Sequence, residues 1–465
     1  MKLHFLGANR QVTGSKYCID SMGQQVMIDC GMFQERPFED RNWHACPIPQ
    51  NQVDALLLTH VHIDHSGLIP RLVREGFRGP IYTTRASVEL AEVVLRDAAK
   101  IQNEDANYKA RRHAREGRKS AYPERVLFTD LDVTESLKLF QPISYGQPFK
   151  VFDHLQACFF DAGHILGSAM IQLDVTEQGR TRRIVFSGDI GQHDKPLIRD
   201  PTFLTSADYA VMESTYGDRE HRKKEDVETQ LEKIICETAR RGGNVVIPTF
   251  AVERAQELMF YISRLVNRAR IPRLKVFVDS PMAVDVTEIY RGLGDFFDEE
   301  TLAMMADNRP PLRFPGLTFC RSVNESRAIN NYRKPCIIMA SSGMCTAGRI
   351  KHHLRQNLGR SESTILFVGY QGQGTLGRTI LEGNPIVRIH GQEFKVRAQI
   401  QQIFGFSGHA DRSGLLEWLG NISGLKRLFL THGEESVAQH LAAEIRDRWK
   451  LDVSVPAYQE EVELS

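Results

Sequence analysis

The sequence has no run of about 18 uninterrupted apolar residues, the length that a membrane-spanning helix needs. It also has no C-x-x-C pair among its eight cysteines, which favours free thiols over disulfides or a thiolate metal site. The 59 Lys and Arg residues nearly balance the 58 Asp and Glu residues, which excludes a globally basic nucleic-acid binder and leaves only local patches for such contacts. The first residues alternate like a strand rather than like a signal peptide. We therefore expect a cytoplasmic protein that does not contact a membrane.

The order of predicted elements divides the 465 residues into three segments. Short β patterns punctuated by glycine dominate the start of the chain. From about Asp208 onward strands and helices alternate, which predicts a parallel, helix-covered sheet. Mixed strands and helices return near the end. We predict that residues 206–390 form an α/β domain inserted into a strand-rich domain made of residues 1–205 and 391–465.

The most informative motif is H-x-H-x-D-H, directly after the apolar strand predicted at 55–58. Its members are His60, His62, Asp64 and His65. Three imidazoles and a carboxylate at the exit of a buried strand can project in different directions and so serve two adjacent metal ions. Nitrogen and oxygen donors suit Zn²⁺, with Mn²⁺ or Fe²⁺ as the alternatives. Simple capping of the following helix is the less favoured interpretation of so many titratable groups.

Two further candidate ligands follow predicted strands and are enclosed by glycine. His164 stands in D-A-G-H-I-L-G-S, and Asp189 stands in F-S-G-D-I-G. Glycine lets the backbone turn tightly enough to aim a side chain back at a metal. Each residue alone would be an ordinary turn residue as often as a ligand. Together with the first motif, the two residues favour a metal site.

This combination of motifs resembles the metallo-β-lactamase superfamily, whose αββα fold carries a binuclear metal site. The resemblance implies a ligand set shared between two metals: His60, His62 and His164 for one, Asp64 and His65 for the other, and Asp189 as the bridge. Asp29, in I-D-C-G, matches an early aspartate of the family that orients ligand histidines without binding metal itself.

The remaining motifs lie far downstream, and their order resembles the β-CASP nuclease branch of that superfamily over essentially the whole chain. Glu213, in V-M-E-S-T-Y-G, opens the inserted segment, whereas His409 and His432 follow it in F-S-G-H-A-D and L-T-H-G-E. The resemblance implies that His432 binds the second metal and that Glu213 and His409 form a catalytic acid pair. We also count Asp64, a ligand in the set that the resemblance implies, among the expected catalytic residues. His432 follows an apolar strand as His60 does, whereas His409 lies in a flexible Gly/Ser loop suited to proton donation.

Candidate substrate contacts lie at predicted strand ends of the inserted domain. They carry hydroxyl groups or exposed backbone N–H groups that could bind phosphates, and they are Ser280, Ser341, Ser342 and Gly343. Two basic runs, at 109–125 and 264–275, could follow a nucleic-acid backbone. A solvated face is the ordinary alternative for such runs.

The resemblance therefore implies an α/β protein, in which an αββα metallo-β-lactamase sandwich carries an inserted parallel α/β β-CASP domain and a C-terminal RNA-specificity motif. Its implied function is that of a zinc-dependent ribonuclease. Two Zn²⁺ ions, or Mn²⁺, would activate water for the hydrolysis of single-stranded RNA, with a histidine as general acid. A small-molecule hydrolase for thioesters or lactones and a catalytically silent RNA-binding scaffold are the alternatives. Endonuclease or exonuclease action, and a homodimer, are left open by the sequence.

Overall fold

The computed structural model describes residues 1–117, 126–221 and 227–465. Residues 118–125 of the predicted basic run lie outside the described residues. The chain divides into two compact units. Unit 1 consists of Met1–His193, Asp200–Glu220 and His409–Ser465, and unit 2 consists of Asp194–Arg199 and His221–Gly408.

The strands and helices of the described chain are numbered here in chain order. The strands are β1 Lys2–Gly7, β2 Lys16–Ser21, β3 Gln24–Ile28, β4 Ala55–Leu57, β5 Ile81–Thr84, β6 Phe140–Ile143, β7 Phe149–Phe152, β8 Leu155–Asp161, β9 Ala169–Glu177, β10 Arg180–Phe186, β11 Tyr209–Glu213, β12 Val245–Pro248, β13 Lys275–Val278, β14 Leu317–Phe319, β15 Cys336–Ala340, β16 Thr364–Phe367, β17 Ile386–Ile389, β18 Gln392–Lys395, β19 Gln399–Gln402, β20 Arg427–Thr431, β21 Asp452–Ser454 and β22 Glu461–Glu463. The helices are α1 Ile63–Ser66, α2 Ile69–Arg74, α3 Arg85–Glu116, α4 Asp130–Leu137, α5 Val227–Arg240, α6 Arg254–Asn267, α7 Pro281–Gly292, α8 Glu299–Ala306, α9 Val323–Ile329, α10 Ile350–Asn357, α11 Leu376–Leu381, α12 Arg412–Gly420 and α13 Glu435–Trp449.

Unit 1 is built on two seven-stranded sheets, counted over the described residues. Their strand orders are β22-β1-β2-β3-β4-β5-β6 and β21-β20-β11-β10-β9-β8-β7. Apolar side chains fill the space between the sheets, where the rings of Phe5 and Phe429 lie 5.1 Å apart. Helices α12 and α13 pack on the outer side of the second sheet through Trp418 and Leu441, and α3 contacts β5 and β6 of the first. The predicted αββα sandwich is confirmed.

Several strand ends of unit 1 meet at one edge of the second sheet. β11 pairs in parallel with both β10 and β20, and Glu213 lies opposite Thr431. β8 runs in the same direction as β10 because both are antiparallel to β9. The residues that follow β8, β10, β11 and β20 are therefore brought together, although they come from distant parts of the sequence.

Unit 2 contains a six-stranded parallel sheet, again counted over the described residues. Its strand order is β14-β13-β15-β12-β16-β19, and every pairing within it is parallel. Amphipathic helices cover the sheet, as α5 shows by burying Leu231 and Ile235. The parallel, helix-covered sheet predicted for the inserted domain is confirmed.

The ends of the insertion differ from the predicted 206 and 390. Tyr209–Glu213 forms a strand of unit 1 because it pairs with β10 and β20 on either side. Gln399–Gln402 forms the edge strand of the unit 2 sheet because it pairs in parallel with β16. Unit 2 therefore ends at Gly408 rather than at 390.

The second basic run is engaged by an acidic residue from another helix. Glu228 of α5 is buried, and its carboxylate lies 3.0 Å from Arg264 Nε, 3.0 Å from Arg268 Nη1 and 3.4 Å from Arg270 Nη1. These arginines neutralise a buried charge within unit 2. The three arginines are therefore paired with an acidic residue that lies outside the run itself.

Two further findings bear on the sequence predictions. All eight cysteines lie among the described residues and are free thiols. No helix in the described ranges combines the length and the apolar character needed to cross a membrane.

The contact between Phe5 and Phe429 gives a stability prediction. Phe429 is completely buried, so Phe429→Ala removes a large side chain between the sheets and leaves a cavity. We expect it to lower the free energy of unfolding by about 3–5 kcal/mol, measured by chemical denaturation. Leu131→Ala on the exposed face of α4 is the control, with an expected change within about 0.5 kcal/mol. Equal effects of the two substitutions would contradict this packing.

Candidate metal centre

Tight turns at strand ends position the predicted ligands of unit 1. His60 and His62 lie between β4 and α1, and Asp189 follows β10. Gly163 and Gly188, which directly precede His164 and Asp189, have positive φ angles of 62° and 52°. These angles favour glycine and let the next side chain turn towards the site.

The first cluster contains His60, His62, His164 and Asp189, and its donor atoms lie within 4.8 Å of one another. His62 Nδ1 is 3.1 Å from both His60 Nε2 and His164 Nε2. Asp189 Oδ2 is 3.4 Å from His60 Nε2 and 3.5 Å from His164 Nε2. Nitrogen ligands of a tetrahedral Zn²⁺, with Zn–N distances of ~2.0–2.1 Å, are about 3.3 Å apart. The spacing of the cluster therefore fits a metal ion.

The second cluster contains Asp64, His65 and His432. His432 Nε2 lies 3.1 Å from His65 Nε2 and 3.4 Å from Asp64 Oδ2. Asp189 Oδ1 lies 3.2 Å from His65 Nε2 and 3.6 Å from His432 Nε2. The carboxylate of Asp189 thus turns one oxygen towards each cluster, and its buried Oδ1 has no hydrogen-bond partner in the described chain.

The protonation states of the first cluster also suit metal binding. Burial lowers the pKa of His60 to about 3 and holds the pKa of His164 well below its ordinary value, so both imidazoles are neutral. Burial alone would raise the pKa of Asp189, but the neighbouring histidines, His432 first among them, hold it well below the usual range. Neutral imidazole and ionised carboxylate are the forms that bind metals. The residues present therefore form a site that fits divalent metal ions.

Asp29, for which the resemblance implies an orienting role, lies behind the second cluster. Its Oδ2 accepts a hydrogen bond from Nδ1 of His65 at 2.7 Å, which leaves His65 Nε2 facing the cluster. The backbone N–H of Thr59 donates to Asp29 Oδ1 at 2.8 Å. Asp29 has a left-handed φ of 57°, and His432 has one of 49°. Such backbone strain concentrates at functional sites.

Two threonines that the sequence analysis did not identify fix other ligand histidines. The Thr59 hydroxyl donates to Asp29 Oδ2 at 2.8 Å and so accepts from His60 Nδ1 at 3.1 Å. The Thr215 hydroxyl donates to the His432 carbonyl at 3.0 Å and accepts from Nδ1 of the same residue at 3.1 Å. Both contacts keep the proton on Nδ1 and leave Nε2 for a metal. Their only sequence signal is adjacency to the His60 and Glu213 motifs.

Glu213 and His409 form a pair next to the first cluster. His409 Nδ1 lies 3.1 Å from Glu213 Oε1, and His409 Nε2 lies 3.9 Å from Asp189 Oδ2. The backbone N–H of Ile190 donates to Glu213 Oε1 at 2.7 Å and holds the carboxylate in place. Burial opposes the charged imidazole, but Glu213 and Asp189 outweigh it and raise the pKa of His409 to about 9. At neutral pH the imidazole is therefore protonated and can donate a proton.

The four predicted substrate contacts lie in unit 2, at the carboxyl ends of β13 and β15. Ser341 Oγ donates to Ser280 Oγ at 3.1 Å, so the structure brings these two hydroxyls together. Ser280 Oγ also accepts from the backbone N–H of Ala283 and caps helix α7. Ser342 Oγ instead lies 3.2 Å from Thr346 Oγ1, and Gly343 lies against the ring of Phe250.

Three family models match the chain in succession. The model of the metallo-beta-lactamase superfamily matches residues 12–139, and the model of the Beta-Casp domain matches residues 255–380. The model of the Zn-dependent metallo-hydrolase RNA specificity domain matches residues 393–456, which include His409 and His432.

Similar proteins come from bacteria and archaea. Ribonuclease TTHA0252 of Thermus thermophilus is 40% identical over 435 residues, covering 94% of this chain and 94% of that protein. Transcription termination factor FttA of Methanocaldococcus jannaschii is 30% identical over 471 residues, covering 98% of this chain and 70% of that protein. A solved structure of a protein of unknown function from Enterococcus faecalis has a TM-score of 0.56 and 11% identity, covering 100% of this chain and 99% of that one. The last comparison shows a shared fold alone.

The position of Asp189 between the clusters gives a prediction for metal binding. Zn²⁺ added to chelator-stripped protein should raise Tm, because an ion at about 100 times its Kd stabilises the folded state by about 2.7 kcal/mol. Asp189→Ala should abolish most of this increase, because it removes a donor from both clusters. Asp153→Asn, at a side chain that is 99% exposed, is the matched control and should retain the increase. Full stabilisation of Asp189→Ala by Zn²⁺ would contradict the arrangement.

The contact of Thr215 with His432 gives a second, milder prediction. Thr215→Val keeps the shape of the side chain but loses the acceptor for His432 Nδ1. Removing such an orienting contact typically costs about 10- to 100-fold in metal affinity. Isothermal titration with Zn²⁺ should show one weakened binding event, whereas Thr215→Ser should bind as the wild type does. Unchanged affinity in the valine variant would show that the hydroxyl does not orient the ligand.

Proposed function

Because the chain belongs to the β-CASP family of the metallo-β-lactamase superfamily, we propose that it is a metal-dependent ribonuclease that hydrolyses phosphodiester bonds of single-stranded RNA. The observation that carries this proposal is the carboxylate of Asp189 between two ligand clusters, beside the protonated imidazole of His409. The match of residues 393–456 to an RNA-specificity model supports RNA as the substrate. The Thermus relative is named a ribonuclease, which also supports RNA as the substrate.

The ligand clusters divide into two proposed metal sites. His60, His62 and His164 would hold one ion, Asp64, His65 and His432 would hold the other, and Asp189 would contribute one oxygen to each. Two Zn²⁺ ions suit this mixed nitrogen and oxygen set best, with Mn²⁺ as the alternative. When bound, the metals lower the pKa of an attacking water and neutralise charge on the phosphate. The side chain of Asp64 is 18% exposed, whereas that of Asp189 is 2% exposed, so Asp64 is the carboxylate that can also contact that water.

His409 is the proposed general acid. Its Nδ1–H is held by Glu213, so the proton on Nε2 is available to the oxygen that leaves when the RNA backbone is cut. Glu213 stabilises the imidazolium electrostatically and fixes its orientation through the contact with Ile190 N. General acid catalysis of this kind contributes typically about 10²–10⁴-fold to the rate.

The proposed phosphate contacts lie in unit 2. Ser280 accepts from Ser341 and keeps its own hydroxyl proton for a phosphate oxygen, and Ser341, Ser342 and Gly343 are the other proposed contacts. All seven proposed metal ligands are present, which disfavours the alternative of a silent RNA-binding scaffold. We place the enzyme in the cytoplasm because its eight free thiols suit a reducing compartment.

The decisive experiment compares cleavage of end-labelled single-stranded RNA by zinc-loaded wild type and variants. We expect His409→Ala to lower kcat by about 10²–10⁴-fold, with unchanged metal content, because only the proton donor is lost. A chelator should abolish the wild-type reaction. His390→Asn is the matched control, because His390 lies outside the clusters and its φ of 49° is tolerated by asparagine.

Two outcomes would overturn the proposal. Undiminished cleavage by His409→Ala would remove the assigned proton donor. Rapid hydrolysis of a thioester or lactone by a wild-type protein that leaves RNA intact would establish the small-molecule hydrolase instead.

A further inference from the structure

Two exposed aromatic side chains lie at the carboxyl edge of the parallel sheet in unit 2. Phe250 follows β12 and is 43% exposed, and Tyr370 follows β16 and is 62% exposed. β12 and β16 are paired and parallel, so the segments that follow them leave the sheet at the same edge. In open parallel sheets this edge is where ligands bind.

The ring of Phe250 rests on glycine backbone. A Cβ atom on Gly343 would lie 2.8 Å from two carbons of this ring, a distance that real contacts do not reach. A Cβ atom on Gly369 would lie 4.0 Å from the same ring. Glycine at 343 therefore provides the space that the ring occupies, which gives this residue a packing role in addition to the proposed phosphate contact.

The backbone of Tyr370 is tied to the same glycine. The buried amide of Gln371 donates from Nε2 to the Gly343 carbonyl at 3.0 Å and to the Tyr370 carbonyl at 3.1 Å. The Tyr370 ring lies over Gly372, where an added Cβ would be 3.9 Å from the ring. Both aromatic positions are thus anchored through Gly343, and each keeps a large part of its surface in solvent. Side chains held in this way lose little conformational freedom on binding.

Groups suited to phosphate lie on the loop that carries Gly343. The hydroxyls of Ser342 and Thr346 are 3.2 Å apart and exposed, and Lys351 Nζ donates to the Thr346 carbonyl at 3.2 Å. The rings are therefore bordered by glycine, hydroxyl groups and a positive charge, together with the side chain of Met344. A protein partner would favour a wider apolar patch, whereas a nucleic-acid strand offers both a flat base and a phosphate.

We propose that Phe250 and Tyr370 form a stacking platform for unpaired bases of the RNA, with Ser342, Thr346 and Lys351 contacting its backbone. This inference rests on the proposed function and adds the recognition of bases to it. Stacking tolerates any sequence because every base has a flat π face, but it requires bases that are not already paired. The platform therefore selects single strands over duplexes without selecting a sequence.

The test measures the Kd of a labelled single-stranded RNA and of an abasic strand of equal length. Metal-loaded protein carrying His409→Ala serves as the common background, in which the RNA survives the measurement. Loss of one stacked base costs roughly tenfold in affinity, so Tyr370→Ala should raise the Kd for RNA by about that factor and leave the Kd for the abasic strand unchanged. Tyr370→Phe keeps the ring and should bind as the parent does. Phe250→Ala should behave as Tyr370→Ala does.

Leu302→Ala is the matched control. Leu302 lies on α8 of unit 2, and its side chain is exposed to the same extent as that of Phe250. Its Kd should equal that of the parent. In the background with His409 intact, Tyr370→Ala should raise KM for RNA and leave the hydrolysis of a small phosphodiester without bases unchanged.

Equal loss of affinity for the RNA and the abasic strand, or equal loss in Tyr370→Phe and Tyr370→Ala, would overturn the platform. These results are independent of the proposed activity. If the wild type fails to cut RNA but base-dependent binding is lost in Tyr370→Ala, the platform is supported and the proposed ribonuclease function is refuted.

Discussion

The carboxylate of Asp189 is the group around which the two ligand clusters of unit 1 are arranged. It is buried, and burying an ionised carboxylate is costly unless opposing charge or hydrogen bonds surround it. His65 and His432 oppose its charge, and His60 and His65 contact its two different oxygens. The ends of β10, β11 and β20 meet because these three strands are parallel neighbours. The larger segment of unit 2, His221–Gly408, is inserted between β11 and β20, which remain paired.

Much of the site could be predicted because its signals are local. The H-x-H-x-D-H run follows a buried strand, and glycine precedes both His164 and Asp189. The sequence also distinguishes His432 from His409, because an apolar strand leads directly into His432 and not into His409. The structure places His432 in the second cluster and His409 beside Glu213.

The features that could not be predicted depend on contacts between distant parts of the chain. Tyr209–Glu213 has the pattern of a strand in either unit, and only its partners β10 and β20 assign it to unit 1. A strand near Gln399–Gln402 is indicated by the sequence, but only its pairing with β16 assigns it to unit 2. Thr59 and Thr215 act through the direction of a hydroxyl proton, which no spacing reveals. Glu228 approaches the arginines from another helix, so their run appeared unopposed in the sequence.

We propose that the carboxylate of Asp189 is shared by two metal ions. Anomalous diffraction from crystals of the zinc-loaded protein measures this without reference to activity. We expect two peaks about 3.5–4 Å apart, one next to Oδ2 of Asp189 among His60, His62 and His164, and one next to Oδ1 beside His65 and His432. A single peak, or two peaks of which one does not contact Asp189, would contradict it.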